Sequence, residues 1–151
     1  MANPVVNASI LKCSMSCMLT VGVPVPRAPS YPPGVFGQIN VLPDKMVNIT
    51  NMPAANIGDT NGKVIFPPSN SCQSQINPTV ISASALASIP PAPPSFVPAP
   101  CTPIFSTPWA PSCSTCTIKN QPALNKTSKL NCSMGGVIEI VNSPAVTVNI
   151  K

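Results

Sequence analysis

The sequence contains no histidine and only three acidic residues, Asp44, Asp59 and Glu139. General acid–base catalysis draws mostly on His, Asp and Glu, and a catalytic nucleophile normally needs such a base beside it. Triads that contain histidine are impossible here, and a carboxylate pair would need two of the three acids in one cleft. The composition therefore predicts that the protein is not an enzyme.

Charge and long apolar runs are also scarce. Charged residues make up 7% of the chain, and the eight basic residues that give a net charge of +5 are scattered. A nucleic-acid groove would need them clustered, so no nucleic-acid partner is expected. No apolar stretch has the length of a membrane span, and residues 1–7 lack the pattern of a signal peptide. We expect a chain assembled in the cytoplasm without a signal peptide.

What the sequence has in abundance is apolar residues and proline. Hydrophobic residues make up 44% of the 151 residues, and 22 residues are prolines. Such a composition is too apolar for a disordered chain, while interior prolines exclude a helical bundle. We therefore predict one domain, residues 1–151, with an all-β fold, long proline-rich loops and one short helix at residues 77–88. Asn77 caps this helix, Pro78 suits its first position, and Pro90 and Pro91 end it.

Two short phrases of the sequence occur twice. Residues 9–15 return as residues 128–134, with Ser, Leu, Cys, Ser and Met at matching positions. Residues 47–56 return as residues 116–125, with a shared Ile-x-Asn-x-Pro-Ala-x-Asn pattern. The second phrase is typical of a strand that enters a turn. Two independent repeats in so short a chain favour a pseudo-symmetric β fold.

Seven cysteines offer two candidate metal sites. By spacing alone, Cys13 with Cys17 and Cys113 with Cys116 resemble two zinc half-sites. The other set takes one thiol from each of four separated segments and includes both copies of the first phrase; its members are Cys13, Cys72, Cys101 and Cys132. Two disulfides, or buried thiols that act as small apolar side chains, explain the same residues equally well, because distant cysteines cannot be paired from sequence.

Several segments in order along the chain carry a resemblance to a known family. They are Leu11-Lys12-Cys13-Ser14-Met15, Val41-Leu42-Pro43, residues 52–59, Phe66-Pro67-Pro68 with Cys72, residues 77–80, Pro100-Cys101, and residues 122–140 with Gly135-Gly136. Together they resemble the PAAR-like spike-tip proteins of contractile injection systems, over about residues 9–141. These systems include type VI secretion machines and phage-tail-like particles.

The resemblance implies a small pseudo-threefold β cone that caps and sharpens a trimeric VgrG-type β-helical spike. Such a tip aids membrane puncture, can attach effectors, contacts the target membrane transiently and leaves the cell at the tip of the particle. PAAR proteins bind a metal through histidines and a cysteine. Here the resemblance favours Cys13, Cys72, Cys101 and Cys132 as ligands of one zinc ion, with iron or disulfides as alternatives.

The resemblance also implies a blunt base that docks on the spike. An apolar patch would serve for docking, and the strand at residues 137–141 offers Val137, Ile138 and Ile140 as contacts. The alternative is a secreted, cysteine-stapled binding or toxin-like module that acts alone. A stable complex with a spike trimer would separate the two hypotheses.

Overall fold

The computed structural model describes residues 2–28 and 31–150 and has a mostly β fold. Within those residues there is one α-helix, α1 (Pro78–Ala87), and one 3-10 helix (Pro43–Lys45). The strands are β1 (Ile10–Cys13), β2 (Ser16–Cys17), β3 (Val25–Pro26), β4 (Gly37–Ile39), β5 (Asn48–Ile49), β6 (Met52–Pro53), β7 (Val64–Ile65), β8 (Ser71–Cys72), β9 (Ser95–Phe96), β10 (Ala99–Pro100), β11 (Thr117–Ile118), β12 (Gln121–Pro122), β13 (Lys129–Asn131) and β14 (Val137–Asn142). The prediction of an all-β fold with one short helix is confirmed.

The largest sheet has five strands in the order β13-β14-β1-β4-β7, and all its pairs are antiparallel. The two copies of the first repeated phrase form β1 and β13, which lie on either side of β14. Glu139 on β14 stands in register with Lys12 on one side and Lys129 on the other. Its carboxylate accepts from Lys129 at 2.7 Å and Lys12 at 3.1 Å. The chain ends are thus joined across one central strand.

Alternation along the sheet builds the main core. Ile138 is fully buried and Ile140 is 7% exposed, while the intervening Glu139 faces its two lysines. Leu11 on β1 and Leu130 on β13 are fully buried beside them. The rest of this cluster comprises Val5, Ile39, Val41, Ala55, Val64, Phe105, Trp109 and Leu124. Successive residues of a strand face opposite sides, so one face of this sheet covers the core.

Helix α1 begins and ends close to where the sequence predicts. The side chain of Asn77 accepts a hydrogen bond from the Thr79 N–H at 3.0 Å, and Pro78 occupies the first turn. The hydroxyl of Ser84 accepts from the Val97 N–H at 2.9 Å and ties the helix to the chain beyond β9. Val80 packs with Phe96 in a separate small cluster. The helix is therefore fixed beside the sheets by both a polar and an apolar contact.

Three extended segments, residues 3–7, 53–57 and 122–126, close into a ring. The central residues of the three segments are Val5, Ala55 and Leu124, and all are fully buried. Val5 donates its N–H to Leu124 at 3.0 Å, Leu124 donates to Ala55 at 3.0 Å, and Ala55 donates to Val5 at 2.9 Å. Each segment gives one bond and receives one in the same direction. This cycle has threefold pseudo-symmetry.

A second set of hydrogen bonds follows the same symmetry. The residue two positions after each centre donates its N–H to the carbonyl two positions before the next centre. The bonds are Asn7 to Pro53 at 2.9 Å, Ile57 to Pro122 at 3.1 Å and Lys126 to Asn3 at 2.9 Å. Six backbone hydrogen bonds, three in each set, thus hold the three segments of the ring together. Buried backbone groups must find partners, and here the symmetric neighbours supply them.

Each ring segment ends in the same side-chain cap, four residues after its centre. Ser9 Oγ accepts from the Val6 N–H at 3.2 Å, and Ser128 Oγ accepts from the Asn125 N–H at 3.3 Å. In the remaining segment the carboxylate of Asp59 accepts from the Asn56 N–H at 2.9 Å. All three capping residues are buried. The pseudo-symmetry therefore extends from the backbone to the capping side chains.

Candidate functional site

Three short β arms lead into the ring, one for each segment. The second arm is the hairpin β5–β6, and the third is the hairpin β11–β12. Both turn through two residues of positive φ, Thr50-Asn51 and Lys119-Asn120, as two-residue type I′ hairpins do. These are the two copies of the second repeated phrase. The strand-into-turn reading of that phrase is confirmed.

The first arm is assembled from the two ends of the described chain. Ala2 and Ile150 form an antiparallel bridge, with reciprocal backbone hydrogen bonds of 3.0 and 2.9 Å. Ala2 stands three residues before its ring centre, as Met52 and Gln121 do in the other arms. The residues that pair with Ala2, Met52 and Gln121 across the arms are therefore equivalent. All three are isoleucines: Ile150, Ile49 and Ile118.

Two copies of this arm stand out as linear repeats in the sequence, and the third does not. The signal was present, because Val47-Asn48-Ile49 recurs as Val148-Asn149-Ile150. A linear comparison loses this copy, since its inner strand lies at the start of the chain and its outer strand lies at the end.

The ring separates two apolar clusters. Its central residues belong to the main core, against which Cys13 and Cys132 also pack. Ala54 and Ala123, each one residue before a centre, belong to a second cluster with Cys113 and Ile118. Ile49, Cys116 and Ile150 pack against that second cluster. The three arms therefore lie on the side of the ring away from the main core.

Polar residues occupy equivalent exposed positions on the three arms. Asn48, Thr117 and Asn149 precede the arm isoleucines, and all three are exposed. The residues before them are Val47, Cys116 and Val148, of which Val47 is 37% exposed and the others are half-buried. We call these six residues the base. The base presents three copies of one local pattern around the axis of the ring.

The four cysteines favoured by the resemblance do converge, on the other side of the ring. Cys13, Cys72, Cys101 and Cys132 line one cavity of about 10 Å³, together with Met15 and Met134. Cys72 reaches it because β8 pairs with β2 and β10, which places Ser16 and Ala99 opposite it. All four are thiols, and no disulfide joins them. We call this group the thiol pocket.

The prediction of a metal ion at this pocket is wrong. Across residues 2–28 and 31–150, no three or more His, Cys, Asp or Glu side chains are arranged to hold a metal ion. The zinc half-sites read from Cys13-Cys17 and Cys113-Cys116 fail on the same finding. The thiols pack instead as apolar groups; the Cys13 sulfur would lie 2.8 Å from a Cβ added at Gly136. Convergence of four thiols is not sufficient, because a tetrathiolate site also needs tetrahedral geometry.

Electrostatics also favour neutral thiols in this pocket. Burial, with a smaller effect of the neighbouring thiols Cys13, Cys72 and Cys132, raises the pKa of Cys101 to about 12. The pKa of Cys13 is raised mainly by burial, an effect that a backbone hydrogen bond at Met15 only partly opposes. Both groups are therefore neutral thiols near pH 7.

The strand expected to dock on a spike faces the core instead. Ile138 and Ile140 lie in the main cluster, and Val137 is half-buried next to the turn between β13 and β14. The alternation of β14 makes its isoleucines the inward face and Glu139 the outward one. The side chains of Ile138 and Ile140 are therefore buried and not available to a partner. The exposed residues lie instead on the base.

All three carboxylates of the chain are bound to lysines. Glu139 pairs with Lys12 and Lys129, and hydrogen bonds from those two amines hold its pKa below the usual range. The Asp59 carboxylate and the Lys45 amine form a buried ion pair, with side chains 6% and 9% exposed. Asp44 lies 3.8 Å from Lys119 at the surface. The carboxylates have structural partners.

A groove of about 740 Å³ lies beside α1. Its wall includes Arg27, Tyr31, Gln73, Ile76 and Phe96.

Within the part of the chain that the structure describes, no helix is long and apolar enough to cross a membrane.

Comparison with known proteins places the chain in a family. Neither a curated protein nor a solved structure matches it. One family model matches residues 5–144, which include the three central residues of the ring and the thiol pocket. The chain belongs to that family, described as a domain of unknown function, DUF4280.

Proposed function

We propose that this protein is a non-enzymatic structural tip that docks through its base on the end of a trimeric β-helical spike. The observation that supports the proposal is the closed cycle of hydrogen bonds among Val5, Ala55 and Leu124. A trimeric spike ends in three identical chain segments. A single chain can match that end only if it presents three equivalent surfaces of its own.

The base supplies those surfaces. Each arm offers one exposed polar residue, which is Asn48, Thr117 or Asn149. The residue before it is a valine in two arms and a cysteine in the third. In the second and third arms, β5 and β11 belong to two-stranded sheets, and Ile150 of the first arm forms a single bridge, so one side of each is open to a neighbouring strand. Each spike chain can add a strand to one arm, as edge strands commonly allow. The occupant of the base in this proposal is the threefold end of the spike.

The opposite end suits the leading position in such a particle. The thiol pocket and the main core close that end through tight packing, and β14 pairs with β1 on one side and β13 on the other. Prolines in the connecting loops reduce the entropy of the unfolded chain where their geometry fits. A tip built in this way resists local opening during membrane puncture. In this proposal it leaves the cytoplasm on the particle and provides a place for effectors to attach.

The ion pairs support a structural role over catalysis. Asp59 caps a ring segment and pairs with Lys45, and Glu139 joins three strands. A catalytic acid or base must instead be able to exchange its proton with a substrate.

The proposal is tested by placing charge on the base. Asn48→Arg and Asn149→Arg each insert a bulky cation at an exposed arm position, where the proposed spike end must approach closely. We expect each variant to bind a trimeric β-helical spike from the same genome at least tenfold more weakly than the unaltered chain. Biolayer interferometry with immobilised spike measures the affinity.

Asn131→Arg is the matched control, because it makes the same change at an exposed strand residue next to the thiol pocket. It should bind as the unaltered chain does. The proposal fails if the base variants bind normally, or if Asn131→Arg is the variant that loses binding. Circular dichroism should show all three variants folded, since each changed side chain is exposed.

A further inference from the structure

The third arm carries a pair of cysteines whose thiol chemistry the proposed docking function does not use. Cys113 and Cys116 are both held against Ala123, a residue of the ring. Cys113 donates its N–H to the Ala123 carbonyl at 3.0 Å, and the Ala123 N–H donates to the Cys116 carbonyl at 2.9 Å. The N–H and C=O of one residue in an extended strand point to the same side. The two cysteine backbones are therefore fixed close together, with Ser114 and Thr115 looped out between them.

The side chains of this pair also meet. The thiols of Cys113 and Cys116 are hydrogen-bonded to each other. The Thr115 hydroxyl lies 3.7 Å from each sulfur and so spans the pair. Cys113 is 1% exposed, while Cys116 is half-buried and reaches the surface of the base. One sulfur is thus accessible and the other lies directly behind it.

We propose that Cys113 and Cys116 are a redox modification site, at which a low-molecular-weight disulfide converts the two thiols into an intramolecular disulfide. Cys116 gives up its proton and attacks one sulfur of the oxidant to form a mixed disulfide, and the other half of the oxidant leaves as a thiol after taking up that proton. Cys113 then attacks the Cys116 sulfur, and the second half of the oxidant leaves with the Cys113 proton. Two thiols are oxidised, one external disulfide is reduced to two thiols, and atoms and electrons balance.

The environment of Cys113 suits the second step. Burial acts to raise its pKa, but hydrogen bonds from the Thr115 N–H, the Cys116 thiol and the Thr115 hydroxyl outweigh burial and leave the pKa lowered. Attack on a disulfide requires a thiolate. The thiol pocket has the opposite character, because the pKa values of Cys13 and Cys101 are raised. The CxxC pair should therefore oxidise before the pocket does.

The other two arms show that the fold does not require a thiol at this position. Cys116 occupies the place that Val47 and Val148 hold in the equivalent arms. In arm 2 the Ala54 N–H donates to the Val47 carbonyl at 2.9 Å, the same bond that Cys116 accepts in arm 3. Replacing Cys116 by valine therefore restores the pattern of its neighbours. That substitution removes the redox chemistry and preserves the arm.

The test is to expose the full chain to oxidised glutathione for increasing times, alkylate the remaining thiols and digest with chymotrypsin. Cleavage after Trp109 and Leu124 releases a fragment that contains Cys113 and Cys116 and no other cysteine. We expect this fragment to lose two hydrogen atoms and escape alkylation at an earlier time than any other cysteine pair. Recovery of the fragment doubly alkylated, or with glutathione attached, while other cysteines pair would overturn the proposal.

Thermal stability gives an independent readout. Oxidation should raise the melting temperature by roughly 3–6 °C, because a short loop is closed in the unfolded chain. Cys116→Val should show no such rise, whereas Cys101→Ser should keep it. An equal rise in Cys116→Val would contradict the proposal. The mass of the fragment from the unaltered chain shows whether Cys113 and Cys116 form a disulfide, even if a variant does not fold.

Discussion

At the scale of single residues, the seven cysteines occupy three environments. Four line the thiol pocket, where Cys101 and Cys13 have raised pKa values. Cys17 is fully buried, with its sulfur 3.2 Å from the Ser71 hydroxyl. The remaining two form the CxxC pair on the third arm. One residue type therefore serves as an apolar filler, a hydrogen-bonded core group and a reactive pair, depending on its neighbours.

The thiol pocket predicts a loss of stability at high pH. Burial raises the pKa of Cys101 to about 12 from an ordinary 9.0. The stabilising contribution of the neutral thiol is complete below pH 9, because both folded and unfolded chains are then protonated. Above pH 9 the unfolded chain loses this proton first, so stability falls until the pH passes about 12, by at most ~1.4 kcal/mol per pH unit.

Urea unfolding at pH 8, 9 and 10 measures this loss. Cys101→Ala cannot titrate at that position, so its stability should fall less steeply between pH 9 and 10 than that of the unaltered chain. Parallel slopes for the two proteins would show that Cys101 does not contribute.

At the scale of elements, the three ring caps differ in one respect. Ser9 and Ser128 cap with hydroxyls, whereas Asp59 caps with a carboxylate that also binds Lys45. The pseudo-symmetry indicates that a serine can serve as the cap at position 59. The carboxylate is then required because Lys45 is buried beside it.

This account predicts the outcome of a double-mutant cycle. Asp59→Ser alone should cost about 3 kcal/mol, since it leaves the Lys45 charge buried without a partner. Lys45→Met with Asp59→Ser should recover stability to within about 1 kcal/mol of the unaltered chain, because the serine caps Asn56 and no charge remains. Urea denaturation measures all of these proteins. A double variant as unstable as Asp59→Ser would show that the carboxylate itself is essential to the cap.

Elements that are continuous in sequence were predictable, and those formed between distant segments were not. The hairpins β5–β6 and β11–β12 follow from a local repeat, and α1 follows from Asn77 and the prolines around it. The convergence of the cysteines was also expected, but the direction of the side chains on four separate segments decides whether the thiols can share an ion, and the sequence does not specify that direction. On β14, Ile138 and Ile140 were expected as docking contacts, but the alternation of the strand buries both in the main core.

At the scale of the whole molecule, the fold joins its first and last described residues into one of three equivalent arms. The bridge between Ala2 and Ile150 completes a pattern that the other two arms form within single hairpins. Together with the ring, it gives one chain the symmetry of a trimer. The all-β class follows from composition, but this closure depends on hydrogen bonds between segments more than 100 residues apart.

The most direct test of the docking account is the stoichiometry of the complex with a trimeric β-helical spike. The full chain is mixed in excess with the spike, and native mass spectrometry measures the mass of the assembly. We expect one tip for every three spike chains, because the three arms of one base occupy the whole threefold end. Three tips per trimer, or no complex at all, would contradict the claim that the pseudo-threefold base matches the symmetry of a spike.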